Sequence, residues 1–369
     1  MPVEFVGHTG SREGSDTIPP KGPIIDKAHI RSMVHAAEDN HFDRLLIGQF
    51  ATWPDNSQIA AFLFHETTRL GALLAHRTGF VAPTMAARQL ATLDHFSEGR
   101  LAVHIITGGT QEDQARDGDY LEHDERYART DEYLDILKRI WSSDQPIDHE
   151  GRFYKFTGGF SNIKPFQKPR LPIYFGGSSD AAIEVAGKHA DVYALWGESL
   201  EQTRDTLRRV KAVAARHGRA DQIRFTLAFR PVVAATEAEA WARTERILAT
   251  IKEAQSRNPQ RSEGKGPANI GSVRLREAAS QGKVLDKRLW TEVAALTGAH
   301  GNSTALVGTP EQVAESLLEY YELGVTTFLI RGFYPIEDTV GYGSTVIPLV
   351  RQEVARREAS ARPRVAAAS

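Results

Sequence analysis

The chain has 369 residues, of which 41% are hydrophobic and 25% are charged, and it contains no cysteine. This composition is typical of a globular protein, and the lack of cysteine excludes disulfide scaffolds, thiolate metal sites and cysteine nucleophiles. The formal net charge of −2, from 45 basic and 47 acidic residues, provides no basic surplus for phosphate contacts, so we expect no nucleic-acid partner.

No uninterrupted apolar segment approaches the roughly 20 residues that a membrane-spanning helix needs, so we expect no membrane association. Residues 1–11 lack the basic flank and apolar core of a secretory signal, and we therefore expect a cytoplasmic protein. The length of the chain alone does not distinguish two domains from one large α/β barrel.

Short apolar segments alternate with longer amphipathic segments along the chain. Both faces of the short segments are apolar, which is typical of strands in a buried parallel sheet. The predicted strands are Val3–Gly7, Arg44–Gly48, Gly71–His76, Leu101–Ile106, Pro172–Phe175, Asp191–Leu195, Arg224–Phe229 and Thr326–Ile330. Helical spacing of apolar residues predicts helices at Ile25–Asn40, Met85–Phe96, Tyr127–Trp141, Ala181–Lys188, Glu201–His217, Glu237–Glu253 and Pro310–Leu323.

This alternation predicts a parallel sheet, which either closes into a (β/α)8 barrel or remains open and doubly wound. The number of strands favours the barrel. An open dinucleotide-binding sheet is disfavoured because no G-x-G-x-x-G follows an early strand. We therefore predict the α/β fold class and a TIM barrel that forms a single domain over residues 1–357.

Three segments are longer than an ordinary βα loop and are predicted as insertions. Residues 8–24 are polar, and residues 143–171 contain the extended segment Phe153–Phe156, which predicts strands or a hairpin. The longest insertion covers about 254–305, and its early part is rich in Arg, Lys, Gly, Pro and Asn. That composition is typical either of a mobile lid or of a plain surface loop. The Ala- and Arg-rich residues 358–369 predict a disordered tail.

Polar residues follow the predicted strands, at the end of a (β/α)8 barrel where enzymes place their chemistry. These residues are His8, Gln49, His76, Arg77, Thr107, Gly176–Ser179, Trp196, Arg230 and Arg331. Strands often end in polar residues for structural reasons alone. Their number here nevertheless indicates one pocket at the mouth of the barrel.

The most distinctive local motif is Tyr174–Asp180, with the sequence YFGGSSD. The strand ends in two glycines, and Ser178 and Ser179 begin the next helix. Free N–H groups at a helix start, together with the serine hydroxyls, suit a phosphate. A tight βα turn with a serine helix cap explains the same residues without a ligand, and the motif alone favours neither interpretation.

His123 and Tyr127 are four residues apart and lie on one face of a predicted helix start, where they either add donors to the same anion or simply pack. The histidines show no metal-ligand spacing, so we predict no metal site. The G-x-S-x-G motif of a hydrolase nucleophile is also absent.

Taken together, these segments resemble the bacterial-luciferase-like flavin monooxygenases, most closely the alkanesulfonate monooxygenase branch, over about residues 3–350. The matching segments are Pro83–Asp94, Ser97–Arg100, Thr107–Gly109, His123–Tyr127, Tyr174–Asp180, Trp196–Glu198 and Thr304–Gly308. The motifs AARQxATLD and FGGSS are specific when they occur together in this order.

The resemblance implies reduced FMN (FMNH2) as a co-substrate, supplied by a separate NAD(P)H-dependent FMN reductase, together with molecular oxygen. It implies a C4a-peroxyflavin that oxygenates a small anionic organosulfur substrate, most simply desulfonating an alkanesulfonate to an aldehyde and sulfite. It also suggests a homodimer or homotetramer.

The same resemblance implies roles for individual residues. The FMN phosphate is expected at His123, Tyr127, Gly177, Ser178 and Ser179, with Thr107 beside the isoalloxazine ring. His8, Trp196 and Tyr334 are expected to line the substrate side, and the insertion at about 254–305 is expected to be the mobile lid.

The chain departs from the sulfonate branch where that branch carries an Arg and a His two residues apart, after strand seven. Here these positions are Ala228 and Arg230, and a family Arg falls near Ala299, beside His300. Positive charge is retained at Arg230 and Arg331, which we predict to bind an anionic substrate because guanidinium groups bind sulfonate or carboxylate with two hydrogen bonds.

We further predict that His8 is a polar contact near the flavin-bound oxygen, that Tyr334 is the proton donor and that His300 binds substrate. Three alternatives remain open. They are a monooxygenase of a neutral sulfone or other small organic compound, a deazaflavin-dependent oxidoreductase on the same fold, and a flavin-binding barrel without catalysis. The arginines and histidines at the strand ends argue against the last.

Overall fold

Parallel strands close into a barrel in the computed structural model, which describes residues 2–257, 269–299 and 301–361. The described strands are β1 (Glu4–Thr9), β2 (Arg44–Ile47), β3 (Gly71–Arg77), β4 (Leu101–Ile106), β5 (Ile147–Glu150), β6 (Lys155–Gly159), β7 (Ile173–Gly176), β8 (Val192–Trp196), β9 (Arg224–Phe229), β10 (Val232–Val233), β11 (Val284–Leu285), β12 (Leu289–Trp290), β13 (Ala305–Gly308) and β14 (Thr327–Ile330). Around the barrel their order is β1-β14-β9-β8-β7-β4-β3-β2.

Helices surround the barrel and follow its strands. They are α1 (Lys27–Asp39), α2 (Asn56–Glu66), α3 (Pro83–Phe96), α4 (Gln111–Arg116), α5 (His123–Ser142), α6 (Asp180–His189), α7 (Leu200–Arg216), α8 (Glu237–Arg257), α9 (Ile270–Gln281), α10 (Glu292–Thr297), α11 (Pro310–Leu323), α12 (Pro335–Ser344) and α13 (Val346–Ala361). Among these described helices, none combines the length and apolarity needed to cross a bilayer.

The predicted (β/α)8 TIM barrel is confirmed, and each of the eight predicted strands is a barrel strand. Helix α11 shows how local sequence sets its bounds. The Thr309 hydroxyl accepts from the Gln312 N–H in a capping box, Pro310 occupies the first turn, and Gly324 ends the helix with a φ of 108°. A positive φ of this kind favours glycine because it has no Cβ.

The interior of the barrel is packed at one end and open at the other. The buried interior cluster contains Val6, Leu73, Ala102, Tyr174 and Val192, with Leu46 and Leu329 packed against it. Successive strand residues point to opposite faces, so the next inward positions lie two residues further on, at His8, Gly48, Ala75, His104, Gly176, Ala194 and Arg331. Several of these are glycine or alanine, whereas TIM barrels usually fill the interior with bulky residues. The carboxyl ends of the strands therefore surround a hollow.

The insertions differ in how much structure they contain. The predicted hairpin within residues 143–171 is present as the antiparallel pair β5–β6. The insertion at about 254–305 contains α9, β11, β12 and α10, and β10, β13, β12 and β11 form a small sheet beside the barrel. Residues 258–268 and His300 lie outside the described residues, so the predicted lid stays a prediction. Helix α13 continues to Ala361, and the rest of the predicted tail, residues 362–369, also lies outside the described residues.

Candidate active site

A cavity of about 480 Å³ opens beside the carboxyl ends of β1, β9 and β14. Its lining includes His8, residues 9–16 of the loop after β1, Trp53, Arg230 and Arg331. A second concavity, of about 490 Å³, is lined by His95, residues 162–166 and Lys168, which precede β7 at the opposite end of the barrel. The first cavity therefore contains three of the predicted strand-end residues, His8, Arg230 and Arg331, and the second contains none.

Arg230 lies at the cavity, but its charge is already paired. The guanidinium is 2% exposed, and its Nη1 donates to Asp16 Oδ2 at 2.5 Å. One face of the guanidinium stacks on the Phe333 ring, with Cζ 3.7 Å from the ring centroid, and Nη2 donates to the Gly332 carbonyl at 3.3 Å. Asp16 is not among the residues that the sequence analysis selected, and it neutralises one of the two predicted anion-binding arginines.

Arg331 is the contrasting case. Its Nη2 lies 3.5 Å from the Asn302 carbonyl, and its Nε is buried without a hydrogen-bond partner. Among the described residues, no carboxylate forms an ion pair with Arg331. Burial and the nearby Arg230 lower the pKa of Arg331 to about 10, so it stays charged at neutral pH. The amide Nδ2 and Oδ1 of Asn302 are also buried without partners in the described chain, which leaves several polar atoms here for a ligand.

His8 lies next to Arg331, on the neighbouring strand β1, and stays neutral. Burial, together with the positive charges of Arg331 and Arg230, lowers the pKa of His8 to about 3. A neutral imidazole has one N–H donor and one acceptor nitrogen. His8 is therefore suited to a hydrogen bond with a bound oxygen atom, as the sequence analysis predicts, but not to carrying a positive charge at neutral pH.

The turn after β7 forms a close-fitting cradle on another part of the mouth. Gly177 has a φ of 138°, and a Cβ at this position would lie 2.7 Å from the Ala182 Cβ and 2.8 Å from the Tyr127 hydroxyl oxygen. The Tyr193 hydroxyl donates to the Gly177 carbonyl and holds the turn. Tyr127 and Gly177 are thus brought together, as predicted, and only glycine fits this backbone.

The two serines of the turn have different roles. The Ser179 hydroxyl caps α6 by accepting from the Ala182 N–H at 3.2 Å, whereas no described residue hydrogen-bonds the Ser178 hydroxyl. The ring of His123, at the first residue of α5, lies 4.9 Å from the Tyr127 ring. Thr107 is buried at the end of β4, and its carbonyl accepts from Gln114 Nε2 at 2.8 Å. Ser179 thus has the structural role of a helix cap, and phosphate binding at Ser178 stays a prediction.

Two other predicted residues, Trp196 and Tyr334, do not line this cavity. Trp196 packs with Leu275, Ala294 and Ala299, under the insertion. The Tyr334 ring faces Arg243, with Cζ of Arg243 5.5 Å from the ring centroid. Tyr334 also packs against the apolar cluster that contains Trp290 and Phe333. Substrate contact by Trp196 and proton donation by Tyr334 stay predictions. His300 lies outside the described residues.

His104, which faces the hollow from β4, is not among the residues predicted from the sequence. Its ring lies beside Gly176, where a Cβ would be 3.5 Å from His104 Cε1, and its buried Nδ1 has no described hydrogen-bond partner. Burial lowers its pKa to about 4. Alternation with Ala102 on the inward face is the signal that identifies it. Within the described residues, no group of three or more His, Asp or Glu side chains has the arrangement of a metal site.

The strand order places these two sets of residues across the mouth from each other. Strands β9, β14 and β1 are neighbours and carry Arg230, Arg331 and His8. Strands β7 and β4 are neighbours on the far side and carry the Gly177 turn and His104. A ligand held by its anionic end at the turn would extend over the hollow towards the arginines.

Comparison with known proteins identifies the family of the chain. The model of the luciferase-like monooxygenase family matches residues 4–327. The chain belongs to the luciferase-like monooxygenase family. The family identification is thus confirmed, while the alkanesulfonate branch is a narrower statement that the match does not make.

Solved structures show the same luciferase-like fold at low sequence identity. A riboflavin lyase (RcaE), solved with modified FMN and riboflavin, has a TM-score of 0.79 at 23% identity over 96% of this chain and 92% of its own. EDTA monooxygenase (EmoA) from Chelativorans sp. BNC1 has a TM-score of 0.76 at 20% identity over 96% and 94%. An F420-dependent secondary alcohol dehydrogenase has a TM-score of 0.67 at 15% identity over 95% and 99%.

The described residues fit the flavin that luciferase-like monooxygenases use. The Gly177 turn leaves the Ser178 hydroxyl and the start of α6 free for a phosphate. The glycines and alanines of the inward positions leave space for a planar ring, and the unpartnered Nδ1 of His104 offers that ring a polar contact. A flavin phosphate at the turn and its ring in the hollow is the arrangement that these observations support.

Proposed function

We propose that the protein is a monooxygenase that uses FMNH2 and molecular oxygen to oxidise a small anionic organosulfur compound. Desulfonation of an alkanesulfonate to an aldehyde and sulfite is the simplest case. The observation that carries this proposal is the half-buried Arg331 guanidinium, whose buried Nε has no partner and which forms no ion pair with a carboxylate among the described residues. A buried cation without a counter-charge is costly, so a site of this kind favours an anionic ligand.

Specific residues would hold the cofactor. The Ser178 hydroxyl, the N–H groups at the start of α6 and the Tyr127 hydroxyl would bind the phosphate of FMNH2, and His104 would contact the ring. The reduced flavin, when bound, supplies two electrons and activates oxygen. The balance of the proposed reaction assigns one oxygen atom to the aldehyde and the other to water, while the C–S bond breaks and sulfite leaves.

The residues on the opposite side would bind and orient the substrate. Arg331 would bind the sulfonate oxygens and direct the carbon that bears the sulfonate towards the flavin. His8, neutral at physiological pH, would hydrogen-bond an oxygen atom near that carbon. The walls of the mouth would exclude water, which strengthens these polar contacts and protects reactive species from hydrolysis.

The electrons would come from a separate NAD(P)H-dependent FMN reductase, as the resemblance to luciferase-like monooxygenases implies. We further propose a cytoplasmic location, where such reductants are available, and a homodimer or homotetramer. Gel filtration with light scattering measures that assembly directly.

The proposal is tested by a sulfite-release screen across alkanesulfonates, sulfones and sulfoxides, with a flavin reductase, FMN and NADH supplied. We expect oxygen uptake and sulfite release with sulfonates and little turnover of neutral sulfones. The control replaces FMN by reduced F420 under argon. Turnover with F420 and none with FMNH2 would contradict the monooxygenase function, and turnover of neutral sulfones alone would contradict the anionic substrate.

A further inference from the structure

Three arginines at the mouth of the barrel occupy inward-facing positions, and they differ in how they are paired. Arg77 on β3 donates to Asp117 Oδ2 at 2.8 Å, and Arg230 donates to Asp16 Oδ2 at 2.5 Å. Arg331 has no such partner in the described part of the chain. Two of the three positive charges are therefore compensated by carboxylates from loops before any ligand binds.

The carboxylate of Asp16 is held in place by its neighbours. The hydroxyls of Ser15 and Thr17 both donate to the Phe333 carbonyl at 2.7 Å. Arg230 stacks on the ring of the same Phe333. The loop after β1 is thus fixed to the segment after β14 on both sides of Asp16, and the Asp16–Arg230 pair is built into the fold rather than formed by a freely moving side chain.

The Asp16 side chain remains 40% exposed and lines the cavity while it holds Arg230. The two neighbouring arginines keep the pKa of Asp16 at about 2, against the effect of burial, which alone would raise it. Asp16 is thus ionised at neutral pH and presents negative charge to any ligand in the cavity.

The charged groups that line the cavity sum to one positive charge. Arg12, Arg230 and Arg331 contribute three positive charges, and Glu13 and Asp16 contribute two negative charges. His8 adds nothing, since it is neutral, and the pKa of the other lining histidine, His29, is also lowered by burial. One negative charge on a ligand balances the net positive charge of the cavity lining. A second negative charge would lie near Asp16, with no free guanidinium to pair with it.

We propose that Asp16 is a specificity-determining residue that neutralises Arg230, leaves Arg331 to bind the ligand and restricts the site to substrates with one negative charge. This inference rests on the proposed function for the identity of the ligand, but the charge selection is a property of the cavity itself. Electrostatic selection of this type works by repulsion of the wrong ligand as well as attraction of the right one.

The experiment measures binding of two probes to the full chain by calorimetry, without flavin or oxygen. The probes are methanesulfonate, with one charge, and ethane-1,2-disulfonate, with two. We expect the wild type to prefer methanesulfonate. Asp16→Asn should shift the preference towards the disulfonate by about tenfold, because Arg230 is then free. Asp16→Glu keeps the charge and should retain the wild-type preference.

Glu13→Gln is the matched control, because it removes one negative charge from the same loop and the same cavity. No ion pair of Glu13 occurs among the described residues, and the residue is exposed to solvent, so its removal should shift the preference by less than about twofold. Circular dichroism and the unfolding temperature show whether each variant is folded.

A folded Asp16→Asn variant that keeps the wild-type preference would overturn the inference, as would an equal shift in Glu13→Gln or the absence of any methanesulfonate binding. Failure of the proposed function looks different. In that case the probes bind with the expected preference, yet no sulfonate gives oxygen uptake or sulfite when FMNH2 is supplied.

Discussion

The two sides of the barrel mouth hold their polar groups in opposite ways. On the side of β4 and β7, neutral groups line the Gly177 turn, and the Ser178 hydroxyl has no described partner. On the side of β9, β14 and β1, full charges lie close together, and Asp16 compensates one of the two buried arginines. We propose that the first side binds an anion through shape and dipoles, whereas the second selects a ligand through the number of charges left unpaired.

The largest effect expected from this difference is that of Arg331→Met. Loss of the unpaired guanidinium should lower kcat/KM for an anionic sulfonate by about 100-fold, in line with truncation of a buried charge that pairs with a ligand. Binding of FMNH2 on the opposite side should stay within about twofold. Steady-state kinetics and an anaerobic flavin titration measure the two quantities. An equal loss of kcat/KM with a neutral sulfone would show that Arg331 does not distinguish substrates by their charge.

The next effect concerns pH, because a histidine on each side is buried and neutral. Burial and two arginines lower the pKa of His8 to about 3, and burial alone lowers that of His104 to about 4. In the unfolded chain both titrate near 6.5. The folded state therefore binds protons less readily, so its stability is fully present above pH 6.5 and is lost as the pH falls below it.

Each of these histidines should lower the free energy of unfolding by about 2 kcal/mol between pH 7 and pH 5. Urea unfolding at several pH values measures the slope of the free energy of unfolding against pH. His104→Gln should reduce that slope, and Arg331→Met should reduce the contribution of His8 while leaving that of His104. A slope that is unchanged in both variants would contradict the pKa values on which the comparison rests.

The smallest effect separates the two serines of the turn. Ser178→Ala should weaken FMNH2 binding several-fold with no change in unfolding temperature, since its hydroxyl is free to bind the phosphate. Ser179→Ala should instead lower the free energy of unfolding by about 1 kcal/mol, because it loses the cap of α6. Anaerobic fluorescence titration and thermal unfolding are the measurements. Equal flavin affinity in Ser178→Ala and wild type would argue against a phosphate at the turn.

Most of the barrel was predictable because its strands are apolar on both faces. Leu101–Ile106 and Arg224–Phe229 have the predicted bounds. Helices α2, α4, α9, α10, α12 and α13 are not among the predicted elements. In α2 the segment Ile59–Phe64 is apolar on every side, so it shows no helical periodicity. Helix α4 has only 6 residues, so the spacing of its residues cannot distinguish it from a loop.

The candidate site was predictable where strand ends define it, and not where tertiary contacts do. Arg230 and Arg331 follow strands and were selected for that reason. Asp16 lies in an irregular loop, and its partner is 214 residues away in the sequence, so no local pattern connects them. The contacts of Trp196 with Leu275, Ala294 and Ala299 could not be predicted, because the path of the insertion is not visible in the sequence.

The small sheet beside the barrel determines how the insertion between β10 and β13 is attached. The chain leaves the barrel through β10 and returns through β13, and the two strands pair in parallel, with Val232 opposite Val307 and Val233 opposite Gly308. The start and the end of the insertion are thus joined by the pairing of β10 with β13, next to the strand that carries Arg230. A different segment between these two strands would leave the eight barrel strands in register, so we expect the insertion to tolerate changes of length and sequence without displacing the residues at the barrel mouth.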